Sequence, residues 1–133
     1  MYIQSMKHLI LIISLFIMFA GKASAQSDST ANWFAKPLPN AKTVAAEVGH
    51  KVAVCDTVVD YRVVNADLTL LNLGGKYPNQ TLTIAIKGTN IKFNPALMKG
   101  KAACFYGDVT MFKNKPEMVV TEPAQIKDIK QYQ

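Results

Sequence analysis

The sequence predicts an all-β fold, a small barrel of five strands. Three observations carry this. From residue 51 onward, apolar residues recur at period two in five short runs separated by Gly, Pro and Asn turns. The first of these runs is markedly longer than the others. The strongest helix-start signal within this region, Asn94-Pro95, falls between the third and fourth runs.

The elements follow in chain order. Lys7 and His8 precede an apolar run at 9–20, LILIISLFIMFA, interrupted only by Ser14, and the small triplet Ala23-Ser24-Ala25 comes next. A basic start, a short apolar core and an A-x-A site read as an export signal spanning 1–25 that is cleaved. Met6-Lys7 opens such a signal at least as well as Met1 does. The run is well short of the roughly 20 residues a membrane helix needs. No cysteine near the cleavage site offers a lipid attachment, so no stable membrane anchor is expected after cleavage. The expected destination is the periplasm or the medium. The chain carries 15 Lys and Arg against 9 Asp and Glu. Lys7 and Lys22 leave with the signal, and the formal charge of the remainder is +4. That permits a polyanionic partner without requiring one.

Residues 26–41 read as a flexible arm, polar at first, then Trp33-Phe34, then two prolines. The domain occupies 42–133. AKTVAAEVG opens it with Val44 and Val48 at helical spacing and Gly49 as the stop, which gives a short helix or turn. In KVAVCDTVVDYRVV, Val52, Val54 and Val58 share one face while Cys55 and Thr57 share the other. A bend is expected at residues 56–58, where one long strand turns to serve two sheets. DLTLLNLG and TLTIAIKG are the second and third strands, and Leu82, Ile84 and Ile86 alternate with Thr81, Thr83 and Ala85. NPALMKG is one short helix ended by Gly100. KAACFYGDVTMF resumes alternation with Ala103, Phe105, Val109 and Met111 on one face. KNKP turns the chain, and EMVVT is the last strand. The expected core is Val52, Val54, Leu82, Ile84, Ile86, Phe105, Val109 and Met111. Five strands with a short helix between the third and fourth is the order of an OB-fold, a Greek-key barrel. A β-sandwich would need more strands than the chain supplies.

Three segments, VGHKVAVCDTVVDYR, LNLGGKYPNQTLTIAIKG and LMKGKAACFYGDVTMFKNKPEMVVTEPAQI, resemble a group of small exported bacterial proteins with a predicted nucleic-acid-binding OB domain. The similarity spans about residues 44–126. The chain departs from that pattern at Asp56 and Asn114, where glycines are usual, which bears on the bend and on the fourth turn. The resemblance implies the architecture and, through it, a binding role.

Between the second and third strands lies NLGGKYPNQ, longer than a tight hairpin needs. Gly74-Gly75 are expected to take positive φ, Pro78 to fix the return, and Lys76 and Tyr77 to stand at the rim. One reading is a stacking platform with a phosphate contact, the combination that single-strand binders use. The other is a hairpin with Tyr77 packed across a strand and Lys76 in water. Tyr61 and Arg62 near the end of the first strand, Lys87 at the end of the third, and Phe112, Lys113 and Lys115 at the fourth turn complete the candidate surface. Each also has a structural reading as a barrel cap or a solvated side chain.

No catalytic, metal or cofactor site is expected. Asp56, Asp60 and Asp67 lie near the first strand, yet Arg62 is the only arginine and cannot supply the two phosphate clamps of an OB-type nuclease. His50 beside two cysteines is too small a set for structural zinc. Cys55 and Cys104 alternate against the apolar face of their strands. In OB topology these strands are antiparallel neighbours, so a disulfide outside the barrel is expected, with two separately packed thiols as the alternative. Two functions remain. One is a module for single-stranded DNA or RNA. The other is an envelope domain that binds a protein, a cation or a small ligand. Lysines clustered over the second and third strands favour the first, and an even spread favours the second.

Overall fold

The computed structural model describes residues 39–133; the segment read as a signal and residues 26–38 of the arm lie outside the described residues. Five strands are present: β1 (Lys51–Asn65), β2 (Leu68–Leu73), β3 (Leu82–Lys87), β4 (Ala102–Phe112) and β5 (Lys115–Val120). A one-turn helix, α1 (Pro95–Met98), joins β3 to β4, and 3-10 turns lie at Val44–Glu47, Pro123–Gln125 and Ile129–Tyr132. The strands run in the order β1-β2-β3-β5-β4, and β4 pairs back onto β1, so the sheet closes into a barrel. Closure leaves no long unpaired edge. Every pairing is antiparallel except that of β3 with β5.

β1 serves two partners in succession. Residues 51–57 pair with β4, and pairing with β2 begins at Val58. The register shifts between Val58 and Asp60, immediately after the expected bend. The extra residue matters for side-chain direction, because a one-residue slip moves every later side chain to the other face. Val58 and Tyr61 therefore both face inward, opposite the buried Leu73 and Leu71, while Asp60 and Arg62 face outward. Asp56 does not disturb this bend. Its carboxylate instead accepts from the backbone N–H of Ala41 (3.0 Å) and of Thr57 (2.7 Å), which pins the chain entering the domain against β1.

Alternation governs the core. Val54, Leu82, Ile84, Ile86, Phe105 and Val109 are buried as expected, joined by Val58, Leu71, Leu73, Met118 and Val120. Val52 is only half-buried against this cluster. Met111 is a correction: it is 52% exposed. It pairs with Pro116 on the outer rungs of the β4–β5 hairpin, beyond Glu117, where pairing of β5 with β3 begins, so the inward parity of β4 has no interior left to enter.

One barrel end is closed by α1 and the C-terminal turn. The Asn94 side chain accepts from Ala96 N–H (3.0 Å), Pro95 starts the helix without needing a partner for its nitrogen, and Met98 is buried. Tyr132 is buried beside it. Its hydroxyl donates to the Ala102 carbonyl (3.2 Å), and its own carbonyl accepts from Asn94 N–H (2.6 Å). Burial, with the Asp128 carboxylate as a smaller contribution, raises the Tyr132 pKa above the ordinary 10.0.

Cys55 and Cys104 stand directly opposite one another in the β1–β4 ladder and form a disulfide, with Cα atoms 4.1 Å apart. Such a bond belongs to an oxidising compartment. Among the described residues no helix is long and apolar enough to cross a membrane.

Candidate functional site

The outer faces of β2, β3 and β5 form the floor of a groove of about 460 Å³. That is within the roughly 300–1,000 Å³ of ligand clefts. Strand register sets which side chains line it. Directly paired residues share a face, so Asp60, Asn72, Thr83, Glu117 and Thr110 form one outward row, and Arg62, Leu70 and Ala85 form the next. Leu68 and Lys87 follow at the far end. At the near end the β2–β3 loop and the β4–β5 hairpin rise as two walls, carrying Tyr77 and Phe112. These aromatics are 72% and 55% exposed. Large aromatics held out in water on the lining of one groove are available for stacking.

The two walls are tied together. The Lys115 ammonium donates to the backbone carbonyls of Pro78 and of Gln80 (3.1 Å). Lys115 is thus already committed to two carbonyls and acts as a strut between loop and hairpin. Glycine chemistry shapes the loop wall in two ways. Gly74 has φ +78°, and a Cβ there would stand 1.9 Å from the Thr81 hydroxyl. Gly75 does not share that backbone conformation. Its requirement is space, because a Cβ would stand 2.5 Å from the Asn79 carbonyl oxygen. The opposite wall is a two-residue turn with Lys113 (φ 48°) and Asn114 (φ 63°) both left-handed, the geometry of a type I′ hairpin. This stands the Lys113 ammonium over the Phe112 ring, 5.4 Å from its centre.

Of the eight residues expected on this surface, Arg62, Tyr77, Lys87, Phe112, Lys113 and Lys115 line the groove together. Lys76 is exposed on the loop outside the lining. Tyr61 is turned into the barrel and packs against the core, because the bulge reverses its parity. No protein-family model and no curated protein matches the chain.

The groove also holds residues that sequence reasoning missed. Asn72, Gln80 and Thr83 are the buried polar side chains among the described residues, and all three line it. Asn72 Nδ2 donates to Asp60 Oδ1 (2.7 Å), and Gln80 Nε2 donates to Thr83 Oγ1 (3.3 Å). Period-two alternation already placed Thr83 opposite the core residues of β3. The fold of the loop, which no local pattern encodes, brings Gln80 over it.

Charge is unevenly distributed. Arg62, Lys87, Lys113 and Lys115 line the groove against the single acid Glu117, whereas the other described residues carry eight cations and seven acids. Most of the basic excess is in the groove. Among the described residues no group of three or more His, Cys, Asp or Glu side chains gathers as a metal site.

Proposed function

We propose that this chain is an exported OB-fold module that binds single-stranded nucleic acid along the outer face of β2 and β3. One observation carries the reading: two exposed aromatics share a groove with most of the domain's excess positive charge. Bases stack on Tyr77 and Phe112, while Arg62, Lys87 and Lys113 contact phosphates. The chemistry needed is shape, stacking and charge, so no cofactor takes part. The disulfide supports an oxidising setting, and the 1–25 signal points to the periplasm or the medium. The competing reading, an envelope domain for a protein, cation or small ligand, predicts no affinity for oligonucleotides.

The test is binding of a labelled, mixed-sequence single-stranded oligonucleotide, followed by anisotropy across roughly 50 to 200 mM salt. Three phosphate contacts give a log–log slope of about −2, at roughly −0.7 per contact for single strands. Tyr77→Ala should weaken binding by about 1–3 kcal/mol at unchanged slope. Arg62→Ala should flatten the slope by about one contact. Absence of binding in folded protein, or a slope unaltered by Arg62→Ala, rejects the assignment.

A further inference from the structure

We infer that the groove reads the hydrogen-bonding edge of a nucleobase, through Gln80 and Thr83, and so discriminates between bases. The inference rests on the single-strand reading above and extends it from affinity to selectivity. The observation behind it is a buried acceptor with nothing to accept. Gln80 is 8% exposed and lines the groove, and its Oε1 is out of solvent without a hydrogen-bond partner. A buried acceptor left without a donor carries an uncompensated desolvation cost, so the folded protein gains when a donor reaches it.

The neighbouring groups specify what that donor is part of. Gln80 Nε2 already gives one of its two hydrogens to Thr83 Oγ1, which leaves the threonine hydroxyl free to donate its own hydrogen. Gln80 and Thr83 thus present an acceptor beside a donor. The complement is an N–H next to a lone pair on one rigid plane. A nucleobase edge has this pattern, and a sugar–phosphate backbone does not, because its phosphate oxygens only accept. Asn72 and Glu117 flank Thr83 in its own row, the next row supplies the apolar Leu70 and Ala85, and Tyr77 stands on the wall for the face of the same base. Fixed polar groups beside apolar surface are how small planar ligands are oriented. The Lys115 strut adds rigidity at this point, since it holds the Gln80 backbone carbonyl itself.

The experiment compares homopolymeric DNA of equal length, oligo-dA, oligo-dC and oligo-dT, with an abasic oligonucleotide, all at one salt concentration. For the unmodified protein, the best and worst homopolymers should differ by at least about five-fold, the discrimination of one good base-edge pairing. The abasic strand should bind below all three. Gln80→Met keeps the length and removes the amide; it should bring the homopolymer affinities together while leaving the salt slope unchanged. Thr83→Val, an outward substitution of the same shape, should do the same and guards against misfolding of the Gln80 variant. Equal homopolymer affinities in the unmodified protein overturn the inference and leave the single-strand reading standing. A homopolymer spread that persists in both variants overturns it as well. Failure to bind any strand removes the reading on which it rests.

Discussion

At the scale of single residues, position relative to the barrel decides what a side chain is worth. Ile84 is fully buried on β3 between strands on both sides. Ile84→Ala should cost about 2–5 kcal/mol through lost transfer energy and the cavity left behind, read as a shifted denaturant midpoint at constant slope. Tyr132 makes a pH-dependent contribution. Its pKa is raised in the folded state by burial first and by Asp128 second, so the folded chain holds the phenolic proton more tightly than the unfolded chain does. The resulting stability is fully present below about pH 10 and is lost as pH rises through the folded value. Thermal melts between pH 9 and 11 should show a steeper alkaline decline than in Tyr132→Phe; parallel declines would deny it this role. Tyr61 shows where residue-level reading stopped. Its sequence places it beside Arg62 at a strand end, and an inserted bulge residue, invisible to a period-two pattern, turns it inward.

At the scale of elements, the strands were legible because period-two alternation runs through much of β1, β3 and β4 and turn residues separate the runs. The short helix was legible because Asn94, Pro95 and Gly100 are start and stop signals with a physical basis. What the pattern did not reveal was how elements meet: the inward rows of β4 outrun the barrel at Met111, and the β2–β3 loop folds Gln80 onto Thr83. The β4–β5 hairpin allows one element-level prediction. Lys113 sits at φ 48° without the local hydrogen-bonding tolerance of Asn. Lys113→Asn relieves on the order of 1 kcal/mol of backbone strain and gives up roughly 0.5 kcal/mol of exposed cation–π attraction. The melting temperature should therefore barely change while the salt slope for oligonucleotide binding flattens. A large loss of stability would show that the turn depends on this lysine.

At the scale of the whole molecule, the disulfide followed from a single assumption about topology, since placing the first and fourth strands side by side as antiparallel neighbours sets Cys55 against Cys104. The groove itself was legible only as a set of candidate loops. Four of its expected residues, Tyr77, Phe112, Lys113 and Lys115, meet because β3 and β5 run parallel, which sends the β2–β3 loop and the β4–β5 turn to the same end; Arg62 and Lys87 join them through the outward register of β1 and β3. The polar floor depends on three-dimensional closure and had no sequence signal beyond the parity of Thr83.

The Cys55–Cys104 bond makes the chain between them a covalent ring, and most of the groove floor belongs to that ring. Backbone cleavage then has two distinct outcomes. A cut at Lys76 opens the ring, yet both pieces stay linked and run as one species on a non-reducing denaturing gel. A cut after Lys113 falls outside the ring and frees the piece that carries β5 once the fold is melted. Limited trypsin digestion should thus give products near full mass without reductant and two fragments with it for the first cut, and two fragments in either lane for the second. The groove floor should therefore outlast damage to one wall better than damage to the other.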